Sequence, residues 1–170
     1  MKAIIIGLSF CLLPILVFGN SQNSYETDQN FDSISVLDKA ELYDYDTYSL
    51  LKQGVAKMQT GKYYQAYTMF LVGLDKATQN DSIELNVLFL NNLGNIFYYL
   101  NNSDSALNFY YQALDIAKSN DLYTLQNTLN NNIGIIYSST GHPDEAFDYV
   151  NEALAVSILQ KDSNKIAINL

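Results

Sequence analysis

The chain of 170 residues has no tryptophan and no arginine, one cysteine and two prolines. The cysteine, Cys11, lies inside an apolar stretch near the N-terminus, so the rest of the chain has no thiol with which to form a disulfide or a cysteine-based metal site. Positive charge comes from nine lysines against eighteen acidic residues, a formal charge of −9. A chain this acidic repels a phosphate backbone, which argues against nucleic-acid binding. Also missing are a phosphate-binding glycine loop, a nucleophile elbow and any zinc-ligand spacing.

The N-terminus reads as a targeting segment. Met1-Lys2 is followed by an apolar run from Ala3 to Phe18 and the small residue Gly19, the pattern of a signal peptide over residues 1–19 cut near Gly19-Asn20. The run is short for a membrane span, which needs about 20 apolar residues, and Pro14 interrupts it. Retention as an N-terminal membrane tether is the alternative. Lipid attachment at Cys11 is disfavoured by Leu8-Ser9-Phe10, which places a bulky ring where a small residue is needed. Residues 20–46 carry Glu26, Asp28, Asp32, Asp38, Glu41, Asp44 and Asp46 with little periodicity, and read as an acidic linker. Ile34, Leu37, Ala40 and Glu41 permit a short capping helix within it.

What the chain does contain is a period of forty. Gly54, Gly94 and Gly134 recur at that interval, as do Ala66, Ala106 and Ala146, and Leu74, Leu114 and Leu154. A fixed period of 20–50 residues marks a solenoid. Within each unit the apolar spacing is helical, as in Leu85, Leu88 and Phe89, and two helices fit into forty residues. Asp81, Asp121 and Asp162 precede apolar-periodic stretches and are expected to cap helix starts, Asp81 with Glu84 as a near capping box. Gly61, Asn101 and Gly141 suit left-handed residues closing the first helix of each unit, with Pro143 opening the next. The small residues at the recurring positions predict close crossings in which each glycine faces the alanine of its partner helix.

These residues resemble the tetratricopeptide repeat family, in the longer-helix form that a forty-residue period implies. Leu93-Gly94, Phe97, Asn101, Ala106, Tyr110 and Ala113-Leu114 carry the likeness, as do Ile133-Gly134, Tyr137, Gly141, Ala146 and Ala153-Leu154. The first unit departs from it at Gln53, Lys57 and Gly73. The resemblance implies an all-α, right-handed solenoid of helical hairpins, with units 47–86, 87–126 and 127–166. Asp162 corresponds to Asp121, and its offset to the next signature glycine runs beyond Leu170, so 167–170 is expected to begin a fourth repeat of a longer protein.

By the same resemblance the first helices line a concave groove that takes an extended peptide. The groove positions are Tyr48, Leu51, Val55 and Gln59, then Leu88, Asn91, Asn92, Asn95, Tyr98 and Tyr99, then Thr128, Asn131, Asn132, Ile135, Ser138 and Ser139. Asn92 and Asn132 stand where similar proteins hold peptide backbone, a role that suits a carboxamide because it offers donor and acceptor together. The competing reading is that these asparagines only bond within their own helices. No lysine occupies a groove position, which argues against capture of a free carboxylate. His142, with Asp144 and Glu145, reads as a turn and capping cluster because a metal site needs three or four converging ligands. Asp144, Glu145, Asp148 and Glu152 read as a solvated helix face. Asn80-Asp81-Ser82 and Asn101-Asn102-Ser103 match a glycosylation pattern that a chain rich in asparagine produces by chance.

The expectation is thus an exported protein with no catalytic or cofactor chemistry, binding a protein or extended peptide in the periplasm or cell envelope. The excess of Asn, Ile, Lys and Tyr without Arg looks like the bias of an AT-rich bacterial genome. Similar exported repeats form the sensor part of bacterial signalling proteins. A free-standing periplasmic scaffold is the alternative, and a glycan-binding helical lipoprotein is disfavoured by the absent tryptophan and the poor lipidation site.

Overall fold

The computed structural model describes Leu42 and residues 45–168, with side chains through Lys161. The expected signal segment, nearly all of the acidic linker and residues 169–170 lie outside the described residues. Among the described residues six helices follow one another from Thr47: α1 (Thr47–Gln59), α2 (Tyr63–Gln79), α3 (Ile83–Tyr99), α4 (Ser103–Ser119), α5 (Tyr123–Ser139) and α6 (Pro143–Ile168). They pair as antiparallel hairpins α1–α2, α3–α4 and α5–α6, each hairpin packs on the next, and the first helices also touch one another, α1 on α3 and α3 on α5. The architecture is an all-α solenoid.

The beat of the chain is twenty residues rather than forty. Gly61, Asp81, Asn101, Asp121 and Gly141 all have positive φ, between 51° and 83°. Each closes the helix before it: the next residue's amide reaches five residues back, Lys62 to Lys57 O at 3.0 Å, Ser82 to Ala77 O at 2.8 Å, Asn102 to Phe97 O at 2.9 Å, Leu122 to Ala117 O at 3.0 Å and His142 to Tyr137 O at 2.9 Å. This is the Schellman closure, in which a left-handed residue lets the chain bond the carbonyls that the helix end leaves free. Glycine, asparagine and aspartate are the residue types that adopt this conformation at least cost.

Asp81 and Asp121 are therefore not the helix-starting caps expected of them. They close α2 and α4, and neither α3 nor α5 has a side-chain cap. Caps of the expected kind occur at Asp46, which accepts from Ser49 N at 2.9 Å, and at Asn102, which accepts from Ser105 N at 3.0 Å. Pro143 opens α6 as expected, where its missing N–H costs nothing. Twenty residues after Gly141 stands Lys161, a type ill-suited to a left-handed turn, and α6 runs on through Asp162 to Ile168 as one helix.

The glycines do face the partner helix, but two of the three meet a ring rather than an alanine. A Cβ on Gly54 would lie 2.3 Å from Phe70 Cε1, and one on Gly94 would lie 2.5 Å from Tyr110 Cε1. Phe70 and Tyr110 are almost fully buried. Sixteen residues after Gly134 the ring is replaced by Val150, and a Cβ on Gly134 would make ordinary contacts, with Ala146 O at 3.4 Å, Tyr149 Cβ at 3.6 Å and Val150 Cγ2 at 3.7 Å. Gly73, irregular as a sequence feature, repeats the device between hairpins: a Cβ there would lie 2.2 Å from Phe89 Cζ. Forty residues on, the smaller Leu129 is matched by Ala113, and both are fully buried.

Helix α3 serves two cores. Phe89, Leu93 and Ile96 join Leu50, Ala66 and Phe70 in the first, and Val87 and Leu90 join Tyr110, Leu114, Leu129 and Ile133 in the second. Burial on both sides explains why its sequence is apolar nearly all round. Among the described residues the third hairpin is more thinly filled, with Ala146, Ala153 and Val156 as the buried apolar residues of α6. Facing inward on α5, where earlier hairpins have Leu50 and Leu90, is Asn130, fully buried, with neither carboxamide atom hydrogen-bonded among the described residues.

Two stability outcomes follow. Gly94→Ala should destabilise the chain by about 1–3 kcal/mol, because the buried Tyr110 ring has nowhere to move, whereas Gly134→Ala should be neutral or gain up to about 1 kcal/mol from better helix propensity. Thermal unfolding of the two variants checks the packing; equal shifts would contradict it. Asn130→Leu removes an unpaired buried carboxamide and should raise stability by about 1–3 kcal/mol. Denaturant midpoints measured with Asn131→Leu as the exposed neighbour decide it, and no gain for Asn130→Leu would mean that the carboxamide is satisfied.

Candidate functional site

The first helices α1, α3 and α5 lie side by side and carry the groove positions. Tyr48, Tyr98, Tyr99, Thr128, Asn131 and Ser138 are exposed, as are Gln59, Ile135 and Ser139, while Asn91, Asn95 and Asn132 are half-buried. Leu51 and Asn92 are buried. Every anticipated residue is thus placed on these three helices, but not all of them reach solvent.

The carboxamides are tied into the fold. Asn92 Nδ2 donates to Leu88 O at 2.7 Å, one turn back on its own helix. Asn132 Nδ2 donates to Asn91 Oδ1 at 2.9 Å, which links α5 to α3. Asn95 Oδ1 accepts from the Tyr110 hydroxyl at 2.7 Å, which links α3 to α4. Asn131 Nδ2 donates to Asn127 Oδ1 at 2.8 Å, and Asn127 in turn donates to Ser157 on α6. Asn92 and Asn132, equivalent by register, therefore do different work: one bonds within its helix and the other bridges two units.

The aromatic residues sort into two groups. Tyr99 stacks on Tyr63 at the start of α2, with ring centroids 5.9 Å apart, and Tyr98 lies against Tyr99 at 5.8 Å. Tyr98 and Tyr99 are both exposed, so each offers apolar ring area together with a polar hydroxyl. A second group joins three helices: the Tyr111 hydroxyl is 2.8 Å from that of Tyr137 and accepts from Tyr149 at 3.2 Å, and Tyr137 stacks on Tyr149 with centroids 5.6 Å apart. Burial, then the hydrogen bonds to Tyr137 and Tyr149, push the Tyr111 phenol above its ordinary range. Burial, with Tyr99 and Tyr98 as lesser contributors, does the same to Tyr110. Both therefore stay protonated hydrogen-bonding groups at neutral pH.

His142 is exposed in the α5–α6 turn, its Nδ1 3.1 Å from Thr140 Oγ1 and its ring edge-on to Tyr137 at 6.0 Å. Among the described residues no three His, Cys, Asp or Glu side chains converge as metal ligands. Asp144, Glu145, Asp148 and Glu152 are all exposed. Glu152 pairs with Lys118 at 3.2 Å, a surface pair of little energetic weight. No described helix is long and apolar enough to cross a membrane.

Comparison with known proteins agrees with this geometry. Residues 90–158 match the family model for the tetratricopeptide repeat. No curated protein matches the sequence. Among solved structures, the crystal structure of the TPR domain of Arabidopsis FLU superposes with a TM-score of 0.57 at 18% identity, covering 69% of this chain and 95% of that one. At that identity the likeness speaks for the fold alone. Repeats of this type typically form surfaces on which other proteins bind, without catalytic machinery of their own. The family model thus spans the second and third hairpins, and the described helices share the fold of a solved tetratricopeptide repeat domain.

Proposed function

We propose that this chain is an exported, non-catalytic binding module that holds an extended stretch of a protein partner along α1, α3 and α5, as the N-terminal sensor or scaffold part of a bacterial envelope signalling protein. The apolar leader of residues 1–19 supports export, and its retention would supply a membrane tether. The observation that carries the binding reading is the composition of the face that α1, α3 and α5 share: exposed Tyr48, Tyr98, Tyr99, Thr128 and Asn131 beside half-buried carboxamides. Tyrosine gives large contact area with little rotamer entropy to lose. Carboxamides match the donor and acceptor of a peptide unit. Without a cation at the groove positions, the partner is held through main chain and apolar side chains rather than through a terminal carboxylate.

The test is affinity selection of a random peptide display library on the purified chain. Selected peptides should bind with little dependence on salt and with no loss when their C-terminus is amidated. Tyr98→Ala and Asn131→Ala should each weaken them by about 1–3 kcal/mol, and Asp115→Ala, an exposed change on α4, by less than about 0.5 kcal/mol. Unchanged affinity in both groove variants would move the binding surface elsewhere.

A further inference from the structure

The outer face of α6 is apolar and uncovered among the described residues. Phe147, Val150, Leu154 and Ile158, spaced by three, four and four, are 65%, 52%, 60% and 55% exposed. In the earlier hairpins the residues at the first three of these positions are covered. Tyr67, Phe70 and Leu74 on α2 are buried or half-buried, as are Leu107, Tyr110 and Leu114 on α4, where α3 and α5 pack. This end of the stack thus presents the surface on which each earlier hairpin seats the next helix.

We propose that a second copy of this chain occupies it, rather than a next helix in the twenty-residue register, which α6 forestalls by running on to Ile168, with the two α6 helices antiparallel about a two-fold axis at Leu154. Three observations favour that occupant. Helices α3 and α5 each run antiparallel to the helix they cover, and α6 has the apolar spacing of a covering helix itself, so one surface serves as both knob and groove. Charge is also complementary along α6: Asp144 and Asp148 lie at its start and Lys161 is in line with the stripe near its end. An antiparallel pair sets Val150 against Ile158, Leu154 against Leu154, and Lys161 against Phe147 with Asp144 and Asp148 alongside, whereas a parallel pair sets acid on acid. Head-to-tail stacking is disfavoured because the exposed stripe of α1, Tyr48, Lys52, Ala56 and Gln59, is largely polar. The proposal is independent of the groove reading, since its stripe lies on α6, which carries none of the groove positions.

Sedimentation equilibrium of the full chain between about 1 and 100 µM should show a monomer–dimer equilibrium. Leu154→Glu places two carboxylates at the axis and should weaken it at least about a hundredfold, with the thermal unfolding of the monomer unchanged because the side chain is exposed. Lys161→Glu should weaken the dimer about tenfold and Asp144→Lys with Asp148→Lys in the same chain should restore it. In a Cys11→Ser background, Leu154→Cys should be joined to its own counterpart by a short bis-maleimide. A chain that stays monomeric over this range, a dimer indifferent to Leu154→Glu, or no restoration by the charge exchange would overturn the proposal.

Discussion

Everything else in this molecule depends on one backbone device, the left-handed residue that ends a helix every twenty positions. Because it recurs at 61, 81, 101, 121 and 141, each interior helix has the same length, seventeen residues, and each turn closes with the same five-residue hydrogen bond. Only then do residues forty apart become equivalent in space, and only then does a ring on one helix meet a glycine on another in hairpin after hairpin. The device also explains why α6 is different. With Lys161 at the next beat no turn forms, and the helix continues.

The side-chain packing is a second rule laid over the first. A ring needs a glycine opposite it, as Phe70 with Gly54, Tyr110 with Gly94 and Phe89 with Gly73, and a smaller side chain such as Leu129 accepts alanine. Space and side chain are therefore chosen together, position by position. In the third hairpin the ring is gone, Gly134 has room beside it, and Asn130 stands where leucine stood. Among the described residues this hairpin has less apolar burial between its two helices, and the same hairpin carries the uncovered apolar stripe.

The forty-residue period, the two-helix unit and the breaker segments were legible in the sequence because each is written in residue identity. The twenty-residue beat was hidden because its five positions hold three residue types, Gly, Asp and Asn, that share a permitted φ rather than a side chain. Aspartate before a helix reads as an N-cap, and at Asp81 and Asp121 the requirement came from the helix behind instead. The glycine–ring contacts were present as a spacing of sixteen in Gly54–Phe70 and Gly94–Tyr110, which a search for equal residues forty apart passes over. Asn130 was detectable by setting it beside Leu50 and Leu90. The partners of Asn91, Asn95 and Asn132 were not, since they come from other helices and depend on how the units are stacked.

Those partners change what binding in the groove would involve. A carboxamide that already donates, as Asn92 does to Leu88 O and Asn132 to Asn91 Oδ1, must either exchange that bond or use its remaining capacity to meet a peptide. Exchange of one hydrogen bond for another yields little net free energy, since the typical net value of such a bond is only about 1 kcal/mol. Asn132 and Asn91 also tie α5 to α3, so a ligand that competed for them would loosen the contact between neighbouring units. The rings of Tyr48, Tyr98 and Tyr99 face no such conflict at their exposed surfaces, and apolar area covered there adds to affinity without loss inside the fold. If an extended chain binds on this face, the exposed tyrosines and Asn131 would carry most of its affinity, while the Asn132–Asn91 bond keeps α5 at its distance from α3.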